Sequence, residues 1–146
     1  MKTKLLLSFF ALNFMLFNGI SCKSQSENLN EKDITGMLNV LYTSYIIERS
    51  KMPENFKKTD SIVKKYCTID FQNQLKSEDI DYDLLLNSQF CEKEWLNTLS
   101  IKKDSNDNSI YNVSFEYTVD GKTKQNNIKL QIVKNNLEYK VNKVIE

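Results

Sequence analysis

The sequence predicts an α+β fold, in which N-terminal helices pack on a curved antiparallel sheet of about four strands. Two periodicities predict it. From Asp33 to Leu75 apolar residues recur at three- and four-residue spacing, as on one face of an α-helix, whereas from Leu99 onward they alternate with polar residues, as in a half-buried strand. Helices followed by an antiparallel meander favour one sheet face covered by the helices and one polar face.

Three helices are predicted in the first half of the domain. Asp33 is a good N-cap for the first helix, which ends near Ser50, and Pro53 indicates a break behind it. Thr59 is the predicted cap of a second helix and Thr68 that of a short third one; whether these two are continuous is left open. The apolar face of the first helix consists of Ile34, Met37, Leu38, Leu41, Tyr42, Tyr45 and Ile46.

The predicted strands are separated by turn sequences. The first strand begins at Leu99 and ends at the polar cluster 104–108. Asp120-Gly121 is a favoured two-residue hairpin turn, because both residue types accept a positive φ. The turn at 135–136 separates the last two strands, and the alternation continues from there to the end of the chain.

The N-terminal segment 1–21 is typical of a secretory signal peptide. Lys2 and Lys4 precede an apolar run, 5–17, that is shorter than the ~20 residues needed to cross a bilayer. The alternative is a buried N-terminal helix, but the run has almost no polar face. We therefore expect the segment to be cleaved from an exported protein.

The residues that follow resemble a bacterial lipobox. Ser21 precedes Cys22, which would become the lipidated N-terminus, although Gly19 stands where the box usually has a larger aliphatic residue. Lys23 is not the aspartate associated with inner-membrane retention, so the resemblance implies anchorage by acyl chains in the cell envelope, with the outer membrane favoured. Cleavage to a soluble protein is the alternative. Several acyl chains give stable membrane attachment.

The mature chain divides into a tether and one domain. Residues 22–32 are polar and lack aromatic side chains, which predicts a lipidated flexible tether. Residues 33–146 have the length of a single α+β domain. The mature chain has 18 basic and 19 acidic residues, a net charge of −1, and so gives no electrostatic argument for a nucleic-acid partner.

Composition also argues against most catalytic chemistry. The chain has no histidine, the commonest general base and zinc ligand, and too few glycines for a phosphate-binding loop. We therefore predict no catalytic residue, no cofactor and no metal site. Cys67 and Cys91 are candidates for a disulfide in an oxidising compartment, and two separately buried thiols are the alternative.

Segment 77–97 is strongly acidic. Asp79, Asp81 and Asp83 are candidate contacts for a partner protein or a cation, and a solvated acidic face is the alternative. Their spacing resembles the start of a calcium loop, but Leu84 stands where that loop needs glycine and a phenylalanine where it needs glutamate. Trp95, in the same segment, is predicted to be a core residue.

Four short motifs in the chain resemble those of a known protein family. They are Tyr66-Cys67-Thr68, Asp81-Tyr82-Asp83 with Gln89, Trp95-Leu96-x-Thr98-Leu99 and Tyr111-x-Val113-Ser114. Over about residues 34 to 145 the chain thereby resembles a family of small uncharacterised bacterial lipoproteins with a nuclear-transport-factor-two-like, or cystatin-like, fold. Leu84 departs from that pattern, which tends to have proline there. The resemblance implies a long helix held in a curved sheet and an envelope location, with no assigned activity.

Three functions are compatible with these observations. The first is a non-catalytic module that binds a peptide, lipid or small ligand in the cone between helix and sheet. The second is a periplasmic inhibitor or immunity protein that covers a basic partner surface with its acidic segment. The third and weakest is an enzyme that uses a buried carboxylate.

Overall fold

The computed structural model describes residues 30–77 and 81–145 and confirms the α+β fold. In this part of the chain, three α-helices and a 3-10 helix precede a four-stranded antiparallel sheet whose strands neighbour one another in chain order. None of the helices described is both long enough and apolar enough to cross a bilayer. The elements are α1 (Glu31–Arg49), α2 (Phe56–Tyr66), α3 (Ile69–Leu75), the 3-10 helix (Lys93–Asn97), β1 (Ser100–Lys103), β2 (Ile110–Val119), β3 (Lys122–Asn135) and β4 (Glu138–Ile145).

The cap of α1 differs from the prediction. Asn30, rather than Asp33, is the N-cap, and its side-chain oxygen accepts the N–H of Lys32 at 3.1 Å. Asparagine caps as well as aspartate does, and the earlier start places Glu31 and Asp33 in the first turn, where they favour the helix dipole. Helical structure therefore begins inside the segment 22–32 that was expected to be a tether.

The cap of α2 also differs, whereas that of α3 is confirmed. Asn55 caps α2 by accepting the N–H of Lys58 at 3.2 Å. Thr59 is buried inside the helix, where its hydroxyl donates to a main-chain carbonyl. Thr68 caps α3 as predicted. The two helices are separate because Cys67 between them is extended and forms a β-bridge to β4.

The sheet has the predicted hairpins. Asp120 and Gly121 join β2 to β3 with φ angles of 54° and 71°, and Asn136 has a φ of 58° in the turn between β3 and β4. Each pair of adjacent strands is antiparallel, and one β-bulge lies at Gln131/Ile132 of β3. A bulge increases the local twist of a strand.

A single apolar core fills the space between α1 and the sheet. Tyr42 from α1 is fully buried, and Trp95 stacks on Phe115 with ring centroids 4.5 Å apart and planes inclined by 13°. Leu85 and Leu86, from the loop after residue 80, are buried in the same cluster. Burying each such side chain contributes about 1.5–3 kcal/mol. The cone in which a ligand pocket was expected is thus occupied by side chains.

Candidate functional site

A pocket of about 370 Å³ lies at the C-terminal end of α1. Its walls are the last turn of α1, the start of α2, the end of α3 and the loop 81–89. The volume is within the range of small-molecule sites. Side chains that shape it include Tyr45, Arg49, Glu54, Phe56, Tyr82 and Asp83.

Asp83 forms the floor of this pocket. Its Oδ2 accepts the hydroxyl of Tyr45 at 2.8 Å and the Nε–H of Arg49 at 3.1 Å. Its Oδ1 accepts the backbone N–H groups of Leu85 at 2.9 Å and Leu86 at 3.3 Å. The side chain is only 5% exposed, so these four donors replace the water that a carboxylate would otherwise bind.

The loop that carries Asp83 is held by its own backbone and by the sheet. Asp83 and Ser88 form a β-bridge, and Asn87 between them has a φ of 46°, which asparagine tolerates better than most residues. The side chain of Asn126 on β3 donates to the carbonyl of Leu86 at 2.8 Å. Asp83 is therefore positioned by the fold, through α1 on one side and β3 on the other.

Arg49 connects this floor to the turn after α1. It is the only arginine of the chain, and its Nη1 pairs with the carboxylate of Glu54 while its Nε contacts Asp83. The Arg49 side chain is 24% exposed. Because the guanidinium contacts both carboxylates, its position and orientation at the pocket wall are fixed.

Burial dominates the electrostatics of the floor. Burial raises the pKa of Asp83 above its ordinary value, while the Tyr45 hydroxyl and the Arg49 charge oppose that rise. Burial and the Asp83 carboxylate together raise the pKa of the Tyr45 phenol, so Tyr45 stays protonated and donates its hydrogen. Burial alone would lower the pKa of Arg49, but the hydrogen bond to Glu54 and the Asp83 charge raise it overall.

The pocket as a whole is acidic and partly aromatic. Two basic side chains, Arg49 and Lys76, face four acidic ones. Phe56 is 68% exposed and Tyr82 40% exposed, so each presents ring surface at the pocket rim. Such a lining favours a ligand that carries a positive charge next to an apolar group. The acidic side chains are Glu54, Asp60, Asp81 and Asp83.

The structure separates the three aspartates that were candidate partner or cation contacts. Asp79 lies outside the described residues, as does Cys22, the candidate lipidation site. Asp81 is exposed at the pocket rim. The side chain of Asp83 is buried, and both its oxygens accept hydrogen bonds within the protein, so it does not face a partner. In residues 30–77 and 81–145 there is no group of three or more side chains suited to holding a metal ion.

Cys67 and Cys91 are both free thiols in the structure. Cys67 is buried between α2 and β4, whereas Cys91 is half-buried and its Sγ donates to the carbonyl of Ile46 at 3.7 Å. Burial raises the pKa of each thiol to about 12. Both thiols therefore occupy positions in which a cysteine packs like a small apolar side chain.

Several residues of the pocket were not anticipated from the sequence. Tyr45 and Arg49 are four positions apart and therefore lie on one face of α1, which is a readable signal. Arg49 was not among the residues predicted to form a site. Its pairing with Glu54 and Asp83 depends on how the loop 81–89 folds, and that loop has no periodicity from which its path could be predicted.

Comparisons with known proteins identify a shared fold. No protein-family model matches the chain, and no curated protein matches it. Among solved structures, the chain is similar to a protein of unknown function from Bacteroides thetaiotaomicron VPI-5482, with a TM-score of 0.68 and 20% sequence identity. The similarity covers 80% of this chain and 91% of that one. At this identity the two proteins share a fold, and the likeness carries no function from one to the other.

Proposed function

We propose that this chain is a non-catalytic binding protein of the bacterial cell envelope, which holds a small ligand or a short peptide segment in the pocket at the end of α1. The observation that carries the proposal is the lining of that pocket, where the exposed carboxylates of Asp60 and Asp81 lie with the exposed rings of Phe56 and Tyr82 around a floor that the contacts of Asp83 hold in place. A prearranged polar floor beside exposed rings is typical of a recognition site.

The charge of the pocket defines the class of ligand. The carboxylates of Asp60 and Asp81 lie at exposed positions of the lining, and the oxygens of Asp83 already have partners. A primary or secondary ammonium group would meet these two exposed carboxylates. An aryl or alkyl group attached to it would contact Phe56 and Tyr82.

The composition of the site supports binding over catalysis. The chain has no histidine. The pocket lining contains one threonine, Thr59, and its hydroxyl is already used as a donor to a main-chain carbonyl. Asp83 is a buried carboxylate with a raised pKa, which is a property of some general bases. Its lone pairs, however, already accept hydrogen bonds from four donors within the protein.

Binding of benzylammonium, measured by calorimetry with benzyl alcohol and benzoate as matched probes, tests this proposal. We expect benzylammonium to bind most tightly, and the double variant Asp60→Asn/Asp81→Asn to weaken it about tenfold, since each exposed charge contributes up to ~1 kcal/mol. Asp120→Asn removes a carboxylate of the β2–β3 turn that is not part of the pocket lining, and it should leave binding unchanged. Preferential binding of benzoate would contradict the proposal.

The envelope location rests on the N-terminal sequence, and its test is separate. The charged start, the apolar run 5–17 and Ser21-Cys22 support lipid anchorage at Cys22 in the envelope, with the outer membrane favoured. Cys22→Ala is expected to release the chain from the membrane fraction. If the variant still sediments with membranes, Cys22 is not the anchor.

A periplasmic inhibitor or immunity protein is the second candidate function. It is favoured by an exposed surface in the acidic segment, where Glu92 and Glu94 are exposed and Phe90 is 44% exposed. Glu92→Lys and Glu94→Lys reverse two charges of this surface and would abolish capture of a basic partner. Because Glu92 and Glu94 are not part of the pocket lining, both variants should still bind benzylammonium. Unchanged capture by both variants would argue against this role.

A further inference from the structure

We propose that the turn between β3 and β4 is a membrane-docking tip, which contacts the bilayer that holds the lipid anchor. The proposal rests on the proposed acylation of Cys22 and adds to it an orientation of the domain. Leu137 in this turn is 93% exposed. The side chain is accessible at the end of the hairpin, and it borders a surface groove.

The chain enters the domain beside this turn. The backbone N–H of Asn30 donates to the hydroxyl of Tyr139 at 3.1 Å, and Tyr139 is two residues from Leu137. In the next residue, Glu31, the carboxylate Oε2 lies 3.7 Å from the Nζ of Lys103 at the end of β1. Eight links join Cys22 to Asn30, and eight residues span at most about 28 Å even when fully extended. An acylated Cys22 therefore keeps this end of the domain close to the bilayer.

The surface around the turn is suited to the boundary between water and lipid. A groove of about 310 Å³ lies next to Leu137 and is lined by Met37, Tyr66 and Tyr139. The Nζ of Lys65 lies 5.0 Å above the ring of Tyr66. Tyrosine and lysine side chains combine an apolar body with a polar end, and so they are accommodated at headgroup depth.

Apolar contact, rather than attraction to anionic lipid, is the expected source of docking. The groove and the strand residues that flank the turn carry Lys65, Lys134 and Lys140 against Asp33 and Glu138, a basic excess of a single charge, and Lys140 is paired with Glu138. Transfer of one leucine side chain into an apolar phase favours the docked state by roughly 10- to 100-fold. The anchor has already brought the turn near the bilayer, so a contact of this size is enough to orient the domain.

Docking at this turn would direct the candidate pocket away from the membrane. Asn30 lies at the N-terminal end of α1, and the pocket lies at its C-terminal end. A helix of 19 residues is about 28 Å long. Ligand would then enter from the aqueous side of the anchored protein.

Fluorescence quenching in vesicles tests the orientation. The full acylated chain is reconstituted into vesicles of phosphatidylethanolamine, phosphatidylglycerol and brominated phosphatidylcholine, with a tryptophan introduced by Leu137→Trp. Lys122→Trp is the matched control, because Lys122 is exposed at the opposite end of β3. The wild-type chain, whose one tryptophan, Trp95, is buried, supplies the background. We expect strong quenching at position 137, none above background at position 122, and the same result without phosphatidylglycerol.

The same samples separate failure of docking from failure of the anchor. If the chain sediments with the vesicles but position 137 is not quenched, or is quenched no more than position 122, the docking proposal is overturned and the anchor stands. Quenching that requires phosphatidylglycerol would overturn the apolar contact. If the wild-type chain does not sediment with the vesicles, the anchor is absent and the docking proposal falls with it.

Discussion

Asp83 is a charged group in a place where water has little access, and its contacts explain how that is tolerated. Each oxygen accepts two hydrogen bonds, and Arg49 supplies the opposite charge. A buried ion pair of this kind adds little net stability, because the cost of removing both charges from water offsets their attraction. The ion pair instead fixes the arrangement of the pocket floor, because Tyr45 and Arg49 both donate hydrogen bonds to Asp83.

Arg49→Met tests this network. The change leaves a carboxylate that is 5% exposed without its cation, so we expect the free energy of unfolding to fall by about 3 kcal/mol, measured by urea denaturation. Adding Asp83→Asn should recover part of the loss, since it removes the unpaired charge. Lys51→Met breaks a pair with Glu48 in which the lysine is 47% exposed, and Glu48 keeps a second cation, Lys58, at 3.8 Å, so the change should cost less than about 1 kcal/mol. A loss for Arg49→Met no larger than that of Lys51→Met would contradict the network.

The two thiols give a prediction that depends on pH. The pKa of each thiol is about 12 in the folded state, against about 8.5 in an unfolded chain. Because the unfolded state loses its thiol protons first, the free energy of unfolding is expected to fall as the pH rises above about 8.5. In the Cys22→Ala variant at pH 8, Cys67 and Cys91 should react slowly with a disulfide reagent in the native state and fully in guanidinium. Failure of both to react after unfolding would show that they are bonded.

Among the elements, the strands were the most predictable and the helix starts the least. Alternation of apolar and polar residues and the pair Asp120-Gly121 determine the hairpin, because a shift by one residue would expose Val113 and Phe115. The period of apolar residues in a helix, in contrast, identifies its buried face but does not identify the residue at which the helix begins. Asn30 and Asp33 are equally good caps in sequence, and the choice depends on a tertiary contact, the hydrogen bond from Asn30 to Tyr139.

Substitution of the competing caps tests the helix starts. Asn30→Ala and Asn55→Ala remove side-chain acceptors that the structure shows in use, so each should lower the free energy of unfolding by about 1 kcal/mol. Asp33→Ala is the matched control for α1 and should cost less than about 0.5 kcal/mol, because Asp33 lies in the exposed first turn. If Asp33→Ala costs more than Asn30→Ala in chemical denaturation, the helix starts where the sequence alone suggested.

The candidate site could be predicted only in part, for a physical reason. Its residues come from α1, α2, the end of α3 and the loop 81–89, and only the helical faces have a period that can be read. Asp83 was expected to lie on an acidic surface together with Asp81. Its side chain is only 5% exposed instead, because Leu84, Leu85 and Leu86, which directly follow it, are buried and hold this part of the loop against the core.

In the whole molecule, the chain enters at one end and the pocket lies at the other. The N-terminus of α1 contacts β4 through Asn30 and Tyr139, whereas its C-terminus contributes Arg49 to the pocket. The core between these ends is filled, with Trp95 stacked on Phe115 and Tyr42 fully buried. A ligand is therefore expected at the end of α1 and not inside the cone of helix and sheet.

Mapping a bound cation by two-dimensional amide NMR tests that location most directly. On titration with benzylammonium, we predict that the largest shifts fall on residues around the pocket, such as Arg49, Tyr82 and Gln89, and that benzyl alcohol at the same concentration produces much smaller ones. Shifts centred on Tyr42, Trp95 and Phe115 in the core, or spread evenly over the surface, would contradict the assignment of the binding site to the end of α1.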